Sequence, residues 1–479
     1  MFSHLSFLVP SFALFVWYFI SRWTLHKYRR AFAHANGCKE PRCRVPLKDP
    51  FLALDFVWKT LQNAKNFRYL EGTHKRFQLY GTTFAAKHMH YPTIHTVDPA
   101  NVKQILSVRF EDFTLSSFRV DAMVPLFGKG IFTTDGELWS HSRALLRPSF
   151  ARHNMTSHLP FMETHFEQLM KAIPEDGSTV DLQKLFFRFT MDTATEFLFG
   201  HSVHTLYDRQ DTSQATDVSD SEFVDSYTYA CLDAVHDIRL GALAKLRYNP
   251  RAKRAQKLAF AYIDHFVDEA LGIRNSVKLD HENETSRYVF LNELAKETDN
   301  RDVLRDQILN ILLAGRDTTA SLLSNMFFEL ARNPEIYEKL RVEVAGLNGV
   351  PPTYEELKEM KYLRHCINEC ECLQKWQSQS LTCEALRLRP VVPANTREAV
   401  RDTILPLGGG SDGQSPIFVR KGTQVYYSVY SMHRREEFFG KNTEEYRPER
   451  WESLRPGWVR PLVIFELMHA NRVKGIFAI

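Results

Sequence analysis

A short polar segment, Ala314 to Thr319, interrupts a long apolar pattern in the second half of the chain. Its sequence, A-G-R-D-T-T, places the carboxylic acid of Asp317 beside the hydroxyl of Thr318. Such a pair can deliver protons to a small ligand near Gly315, which has no side chain. A threonine inside a helix can also turn its hydroxyl to the carbonyl one turn back, and Thr318 is placed to do this to Ala314. The pattern favours proton delivery, and the alternative is a buried helix with an incidental polar patch.

Two other pairs of residues have the spacing of neighbours on one face of a helix. Trp139 and Arg143 are four positions apart, and an aromatic ring beside a guanidinium suits a flat, apolar cofactor that carries carboxylates. Glu384 and Arg387 are three positions apart and could form an ion pair. Each pair alone is a weak signal, because a surface cation on an aromatic ring and a surface ion pair are both common.

The polar segment needs a long helix to position it. Residues 301–332 carry apolar or small side chains in steps of three or four, which predicts an inward-facing stripe at positions 304, 308, 311, 315, 319, 322, 326 and 330. Asn333 and Pro334 end the pattern. At about 1.5 Å per residue this helix would be roughly 48 Å long, enough to cross a whole domain.

The composition indicates a globular protein with a large core. Of its 479 residues, 44% are hydrophobic and 25% are charged, and a net charge of +4 without a basic block argues against nucleic acid as a partner. Seven Cys at irregular spacing do not indicate a secreted disulfide framework. The sequence predicts a fold that is mainly α with a small β-rich region. The expected sheet lies in residues 80–100, and the expected helices cover 100–107, 136–150, 157–172, 180–199, 221–246 and 252–274.

The chain begins with an apolar segment that predicts a membrane anchor. Residues 2–21 contain His4 but no Asp, Glu, Lys or Arg, and have about the length that a membrane-spanning helix needs. Basic residues follow directly, which predicts a cytosolic orientation for the rest of the chain. We therefore predict an N-terminal transmembrane helix in residues 1–21, a basic, Pro-containing linker in residues 22–50, and a catalytic domain from residue 51 to residue 479.

Four segments together resemble a known family. A-G-R-D-T-T is similar to the oxygen-activation motif of the cytochrome P450 family, the heme-thiolate monooxygenases, which carry A/G-G-x-D/E-T-T/S on a long central helix. E-L-W-S-H-S-R, E-A-L-R and Y-R-P-E-R-W are similar to the W-x-x-x-R helix, the E-x-x-R motif and the P-E-R motif of that family, and they occur in family order between residues 137 and 451. The resemblance implies a cytochrome P450 fold with heme as cofactor. It implies proton delivery by Asp317 and Thr318, heme contacts by Trp139, Arg143, Ala314, Gly315 and Arg397, and a structural charge cluster of Glu384, Arg387 and Arg450.

A subgroup of the family is also indicated. Residues 126–152, together with the apolar N-terminus, resemble fungal membrane enzymes that hydroxylate n-alkanes and fatty acids at the terminal carbon. The resemblance implies a long-chain aliphatic substrate, O2, electrons from NADPH through a membrane-bound reductase, and a monomer anchored in the endoplasmic reticulum membrane. The residues that would line an apolar substrate pocket are Phe113, Phe118, Val120, Met123, Ile311, Val391 and Val392. For each of them taken singly, plain core packing is the alternative.

Two segments depart from the family pattern. The family places an axial cysteine in F-x-x-G-x-R-x-C-x-G after the P-E-R arginine, whereas the last cysteine here is Cys383, so no metal ligand is assigned. Residues 370–383 interrupt what would otherwise be one continuous amphipathic helix. We predict that this insert and the tail at residues 459–479 are translated non-coding or frame-shifted sequence. The family domain would then be incomplete and C-terminally truncated.

Three other interpretations remain open. The first is a zinc site formed by Cys366, Cys370, Cys372 and Cys383, whose spacing does not resemble the C-x2-C pairs of structural zinc sites. The second is a di-iron hydroxylase that uses His153, His158 and His165, although no H-x-x-H-H motif is present. The third follows from the missing axial cysteine: the chain could be a heme-free, inactive relative or a lipid-binding remnant.

Overall fold

The computed structural model describes residues 2–89, 91–150, 159–207, 218–277, 288–370 and 387–453. The chain divides into two compact units, one formed by Met1–Thr114 with Thr396–Ser428 and the other by Leu115–Asn395 with Val429–Ile479. Helices dominate and strands are few, which confirms the coarse prediction of a mainly α fold with a small β-rich region.

The first unit contains four helices and the sheets. Its helices are α1 (Phe2–Ala35), α2 (Leu54–Lys65), α3 (Tyr69–Tyr80) and α4 (Pro99–Lys103), and its strands are β1 (Thr83–His88), β2 (Tyr91–Thr96), β3 (Phe113–Leu115), β4 (Ala394–Ala399), β5 (Thr403–Gly409), β6 (Ser415–Val419) and β7 (Gln424–Ser428). One sheet has the order β1-β2-β7-β4-β3, and β5 pairs with β6 in a second, two-stranded sheet. The hairpin of β1 and β2 confirms the strands predicted in residues 80–100. Strands β4 to β7 were not predicted, and β7 joins the hairpin by parallel pairing with β2.

The first helix is longer than the predicted anchor. It continues without interruption past residue 21 to Ala35, so the first part of the predicted linker is helical. The chain after it is extended and pairs with the sheets at Pro41 and Arg44, which lie opposite Gly409 and Ala85. Within the described residues, none of the helices combines the length and the hydropathy that a membrane-spanning segment requires.

The second unit is helical. Its helices are α5 (Ser117–Phe127), α6 (Gly136–Leu146), α7 (Leu159–Lys171), α8 (Leu182–Phe199), α9 (Asp220–Leu240), α10 (Pro250–Val277), α11 (Phe290–Glu297), α12 (Arg301–Arg332), α13 (Pro334–Ala345), α14 (Tyr354–Glu359), α15 (Lys361–Cys370), α16 (Val429–Met432), α17 (Glu436–Phe439) and α18 (Arg450–Ser453). Side-chain caps begin several of them, because an oxygen of Asp181, Ser219 or Thr353 accepts a hydrogen bond from a backbone N–H in the first turn. The bounds of these helices lie close to the positions that the sequence predicts.

Helix α12 has the bounds that the sequence predicts, Arg301–Arg332. The Asn300 side chain accepts a hydrogen bond from Val303 N at 3.1 Å and caps its start, and Asn333 and Pro334 follow its end. The predicted apolar stripe is buried at both ends of the helix, but its middle is only half-buried. The first half of α12 is instead buried on nearly every side, and the buried residues there include the polar Asp306, Gln307 and Asn310.

A single apolar cluster in the second unit surrounds this part of α12. It draws buried side chains from α5, α6, α8, α9, α10, α11 and α12. At its centre Phe223 stacks on Tyr262, with ring centroids 4.1 Å apart and planes 9° apart. Because interiors are packed as densely as organic crystals, this cluster fixes the position of α12 to within small displacements.

Candidate active site

The hydroxyl of Thr318 bonds to the carbonyl one turn back, as the sequence predicts. Its Oγ1 donates to Ala314 O at 2.6 Å, in the half-buried middle of α12. A second donor to that carbonyl loosens the helical hydrogen-bond ladder at this point. The same hydroxyl still has its lone pairs available to accept a hydrogen bond from a ligand.

Asp317 is a partly desolvated acid beside a buried arginine. Its Oδ1 is buried without a hydrogen-bond partner, and it lies 3.5 Å from Nη1 of Arg316. Burial raises the pKa of the Asp317 carboxyl, and the Arg316 charge opposes that rise. A carboxyl whose pKa is raised holds its proton more readily at neutral pH, which suits a proton donor.

Arg316, which the sequence analysis did not single out, is anchored away from Thr318. Its Nη2 donates to Thr228 Oγ1 at 2.8 Å, and its guanidinium lies over the rings of Phe187 and Tyr227 with centroid distances of 5.6 and 5.8 Å. A cation held by two aromatic rings and a hydroxyl has a fixed position. Arg316 therefore supplies a fixed positive charge next to Asp317.

Gly315 is not required by the packing of the described residues. An added Cβ would find only the Ala194 side chain of α8 within 4 Å, at an ordinary contact distance of 3.8 Å. None of the described residues therefore approaches Gly315 so closely that a glycine is required there. Ala314 and Gly315 are both half-buried, and their small size leaves room beside Thr318.

Arg143 is a buried cation whose Nε and Nη2 have no hydrogen-bond partner among the described residues. It lies on α6 over the ring of Trp139, 5.1 Å from its centroid, as the four-residue spacing predicts. Burial, together with the charge of Arg147, lowers the pKa of Arg143. A buried guanidinium without an acceptor is costly, so this site fits a ligand that carries a carboxylate.

Two polar residues of α12 that the sequence analysis missed, Asp306 and Asn310, hold the segment between α5 and α6. Asp306 Oδ2 accepts a hydrogen bond from Lys129 N at 2.7 Å. Asn310 Oδ1 accepts from Phe132 N at 3.0 Å, and its Nδ2 donates to Phe127 O at 2.8 Å. The nearest signal in the sequence was their polar character within an otherwise apolar helix.

Glycines make this close approach possible. Gly128 has a φ of +55°, and a Cβ there would lie about 2 Å from the Asp306 carboxylate. A Cβ on Gly130 would lie 2.1 Å from Asn310 Nδ2. Farther along, Gln307 Nε2 donates to Ser142 Oγ at 2.8 Å, directly beside Arg143. Helix α12 therefore positions α6 and its arginine by side-chain hydrogen bonds.

Arg387 and Arg450 come together, as the predicted charge cluster requires. Arg387 is fully buried and donates to Thr443 O at 2.6 Å and Glu445 O at 2.9 Å. Arg450 Nη2 donates to the same Glu445 carbonyl at 3.2 Å, and its Nη1 donates to Phe439 O at 2.7 Å. Both arginines thus hold the backbone between α17 and α18. Glu384, the predicted acidic member, lies outside the described residues.

Arg397 belongs to the first unit. It lies on β4, is mostly buried, and donates from Nη1 to Thr396 O at 3.1 Å. Among the predicted pocket residues, Phe113 also belongs to this unit and is buried on β3.

The other predicted pocket residues have different surroundings within the second unit. Met123 and Ile311 are buried in the same apolar cluster, so both contribute to the core there. Phe118 and Val120 are half-buried on α5. Val391 packs on a separate cluster near the end of α12, and Val392 is 54% exposed. The structure thus brings only part of this set together.

The alternative metal sites fall largely outside the described residues. Cys366 is buried on α15, whereas Cys372 and Cys383 lie in an undescribed segment, and the Cys370 side chain is not described either. His153 and His158 are also outside the described residues, and His165 pairs with Glu196 at 2.9 Å. The described part of the chain contains no group of three or more metal-binding side chains.

An acid beside a hydroxyl on a long helix, in the same unit as a buried arginine, is an arrangement that would suit proton delivery next to a cofactor that carries carboxylates. A family model described as "Cytochrome P450" matches residues 49–456. The chain belongs to the cytochrome P450 family, whose members are monooxygenases that use heme and receive NADPH-derived electrons through a reductase.

Several fungal members are similar over most of the chain. The "cytochrome P450 monooxygenase himC" of Aspergillus japonicus is 46% identical over 428 residues, which cover 88% of this chain and 73% of that protein. The "cytochrome P450 monooxygenase fsdH" of Fusarium heterosporum is 40% identical over 92% of this chain and 76% of its own length. "Cytochrome P450 52A5" of Candida maltosa is 44% identical over 76% of this chain and 68% of its own length.

Proposed function

We propose that this protein is a heme-dependent monooxygenase that hydroxylates a long-chain aliphatic substrate, an n-alkane or a fatty acid, at its terminal carbon. The observation that carries the heme part of the proposal is the buried Arg143, whose Nε and Nη2 find no acceptor in the part of the chain that the structure describes. A heme propionate would supply that acceptor in a bidentate contact. Trp139 would pack beside the macrocycle, and Arg397 would bind the second propionate.

The proton-delivery role falls to Asp317 and Thr318. Heme, when bound, supplies the iron at which O2 is activated. Asp317 would donate protons through its Oδ1, and Thr318 would help to deliver them through its hydroxyl, while Ala314 and Gly315 leave room for a small ligand. Arg316 would stabilise the carboxylate that remains after each transfer, because its Nη1 lies 3.5 Å away. Arg387 and Arg450, together with Glu384, would lock the fold around the cofactor.

The substrate class rests on resemblance and on residue character. Residues 126–152 resemble fungal alkane and fatty-acid hydroxylases, and this segment is held against α12 by Asp306 and Asn310. An apolar lining that includes Phe118 and Val120 fits a hydrocarbon chain. The relatives named as monooxygenases himC and fsdH leave other apolar substrates open.

The location that fits this proposal is the endoplasmic reticulum membrane, with the catalytic domain in the cytosol. The apolar character of residues 2–21 and the basic residues after it support an N-terminal anchor. In that location the protein would act as a monomer and receive electrons from a membrane-bound NADPH-dependent reductase.

A second candidate, a heme-free relative that binds lipid, is favoured by one observation: the sequence contains no cysteine after Cys383. Our proposal requires a cysteine thiolate to bind the heme, so we infer that residues 370–383 and 459–479 are not part of the active enzyme. The match of the family model, which ends at residue 456, supports this for the tail. Sequencing the mature transcript from the Tyr362 codon to the stop codon tests it, and a transcript that encodes both segments as printed would contradict it.

The enzymatic test combines spectroscopy with product analysis. The purified protein is expected to contain heme and, with the reductase, NADPH and O2, to convert a long-chain alkane or fatty acid to the terminal alcohol, identified by mass spectrometry. A purified protein without heme would support the heme-free candidate. Heme without oxidation of any aliphatic substrate would contradict the proposed substrate class but leave the monooxygenase class intact.

A further inference from the structure

A basic recess lies on α1, beyond its apolar segment. Its lining residues are Arg22, Leu25, His26, Arg29 and Arg420, and its volume is about 220 Å³. Arg22, His26 and Arg29 follow one another by four and three positions, so they share a face of the helix. Arg420 is distant in sequence and enters from the turn between β6 and β7.

One carboxylate organises the recess. Asp402 Oδ2 accepts a hydrogen bond from Arg29 Nε at 2.9 Å, and its Oδ1 accepts from Lys421 N at 2.8 Å. Asp402 therefore fixes both α1 and the turn that carries Arg420. Phe32 packs against Phe418 with ring centroids 5.8 Å apart and holds α1 against β6, the strand that precedes this turn.

The charges of the recess do not balance. Asp402 pairs with Arg29, and Arg22 and Arg420 line the same recess, so a surplus of positive charge remains when His26 is neutral. Arg22 and Arg420 are exposed, whereas Arg29 is largely buried, with 17% of its side chain exposed. A recess of this size and charge fits a phosphate group, because arginine donors match phosphate oxygens in a bidentate manner.

An apolar surface on the same helix indicates what carries that phosphate. The side chains just before the recess are large, apolar and more than half exposed: Leu14, Phe15, Trp17, Tyr18, Phe19, Ile20 and Trp23. An exposed apolar surface of this kind marks a site of interaction. A molecule with acyl chains and an anionic head group would contact both features at once, with the aromatic residues at the level of the interface.

We propose that Arg22, Arg29 and Arg420 bind the phosphate of an anionic phospholipid whose acyl chains lie along the apolar surface of α1. The arginine of the β6–β7 turn thereby ties the sheet of the first unit to the lipid surface. This inference goes beyond the proposed function, because it involves neither heme nor the oxidised substrate. Its test is therefore independent of the test of catalysis.

The test uses the full chain purified in a neutral detergent. Isothermal titration calorimetry would compare dihexanoyl phosphatidic acid, dihexanoyl phosphatidylcholine and inorganic phosphate as ligands. Two variants each lose one positive charge: Arg420→Gln in the recess, and Arg254→Gln as the matched control at an exposed position of the second unit. A basic residue near a lipid surface contributes enough attraction that Arg420→Gln is expected to weaken phosphatidic acid binding about five-fold.

The outcomes separate the possible ligands. Tight binding of phosphatidic acid, weaker binding of phosphatidylcholine and of inorganic phosphate, and a loss confined to Arg420→Gln would support the proposal. Inorganic phosphate binding as tightly as the lipid would overturn it in favour of a free phosphate site. An equal loss in Arg254→Gln, or no binding at all, would overturn it as well. If Arg420→Gln changes the thermal midpoint, Arg22→Gln makes the same comparison at a position without a hydrogen bond to the sheet.

Discussion

Arg143 shows at the scale of one residue how the unfavourable burial of a charged group can indicate a ligand. Its spacing from Trp139 was visible in the sequence, but the burial of its guanidinium and the lack of an acceptor were not. An unpaired buried cation destabilises a protein unless a partner is added. Arg143 therefore has opposite effects on the heme-free protein and on heme binding, and a mutation separates the two.

We expect Arg143→Gln to stabilise the heme-free protein and to weaken heme binding. Removing a buried charge without an acceptor should raise the free energy of unfolding by about 1 kcal/mol, whereas loss of the propionate contact should lower heme affinity at least about tenfold. Denaturant titration and heme transfer to a competing apoprotein measure the two effects. The control Arg254→Gln, at an exposed position of the second unit, should change neither. A destabilised variant with normal heme binding would show that Arg143 has only a structural role.

Thr318 allows a test of proton delivery. In the heme-containing enzyme, Thr318→Ala removes the hydroxyl that bonds to Ala314 O and should uncouple oxygen consumption from product formation. Thr318→Ser keeps that hydroxyl and should retain most of the coupling. The measurement is the ratio of product formed to NADPH oxidised. Unchanged coupling in Thr318→Ala would exclude the proposed role.

At the scale of the element, α12 is both a core helix and a support for its neighbours. Its buried polar residues bind the backbone of the segment between α5 and α6, which carries the two closely packed glycines, Gly128 and Gly130. Gln307 extends this support to Ser142 on α6. The same helix that holds Asp317 and Thr318 therefore also determines where Arg143 lies.

We expect Asn310→Ala to destabilise the protein by about 2 to 3 kcal/mol, because three hydrogen bonds of a fully buried amide are lost and backbone groups are left without partners. Asn325→Ala on the same helix removes one longer, half-buried contact to Ser321 and should cost less than about 1 kcal/mol. Urea denaturation compares the two variants. An equal loss of unfolding free energy in the two variants would mean that the buried hydrogen bonds of Asn310 contribute no more than the half-buried contact of Asn325.

At the scale of the whole molecule, stability is expected to depend on pH through a buried histidine of the first unit. His95 stacks on Phe84 at 5.0 Å, and Tyr426 lies 4.9 Å away. Burial, aided by the charges of Arg76 and His88, lowers the pKa of His95 to about 3. The unfolded chain binds a proton near the ordinary pKa of 6.5, so this contribution to stability is complete above pH 6.5 and is lost as the pH falls towards 3.

His95→Phe should remove that pH dependence. Between about pH 7 and pH 4.5 the wild-type protein should lose about 2 to 3 kcal/mol more than the variant. Below pH 6.5 the unfolded state binds one proton that the folded state does not, which costs about 1.4 kcal/mol for each pH unit. Denaturant titrations at several pH values measure the difference. The control His236→Phe, at an exposed position, should follow the wild type. If the free energy of unfolding falls equally with pH in His95→Phe and in the wild-type protein, His95 does not account for the pH dependence.

The sequence by itself determined the features that depend on near neighbours. The bounds of α12, the hydrogen bond from Thr318 to Ala314 and the stacking of Arg143 on Trp139 follow from helical periodicity, capping residues and spacing. These signals lie within a few residues of the feature that they predict, so no tertiary contact is needed to recognise them.

Only the tertiary structure decided which distant groups meet. It paired β2 with β7, brought Arg387 and Arg450 to one carbonyl, set Asp306 against Lys129 and placed Arg420 beside α1. Each of these contacts joins residues that the local pattern treats independently, because their meeting depends on how whole helices and strands pack. The sequence could thus supply the chemical groups, whereas packing selected which of them are buried, satisfied or left open to a ligand.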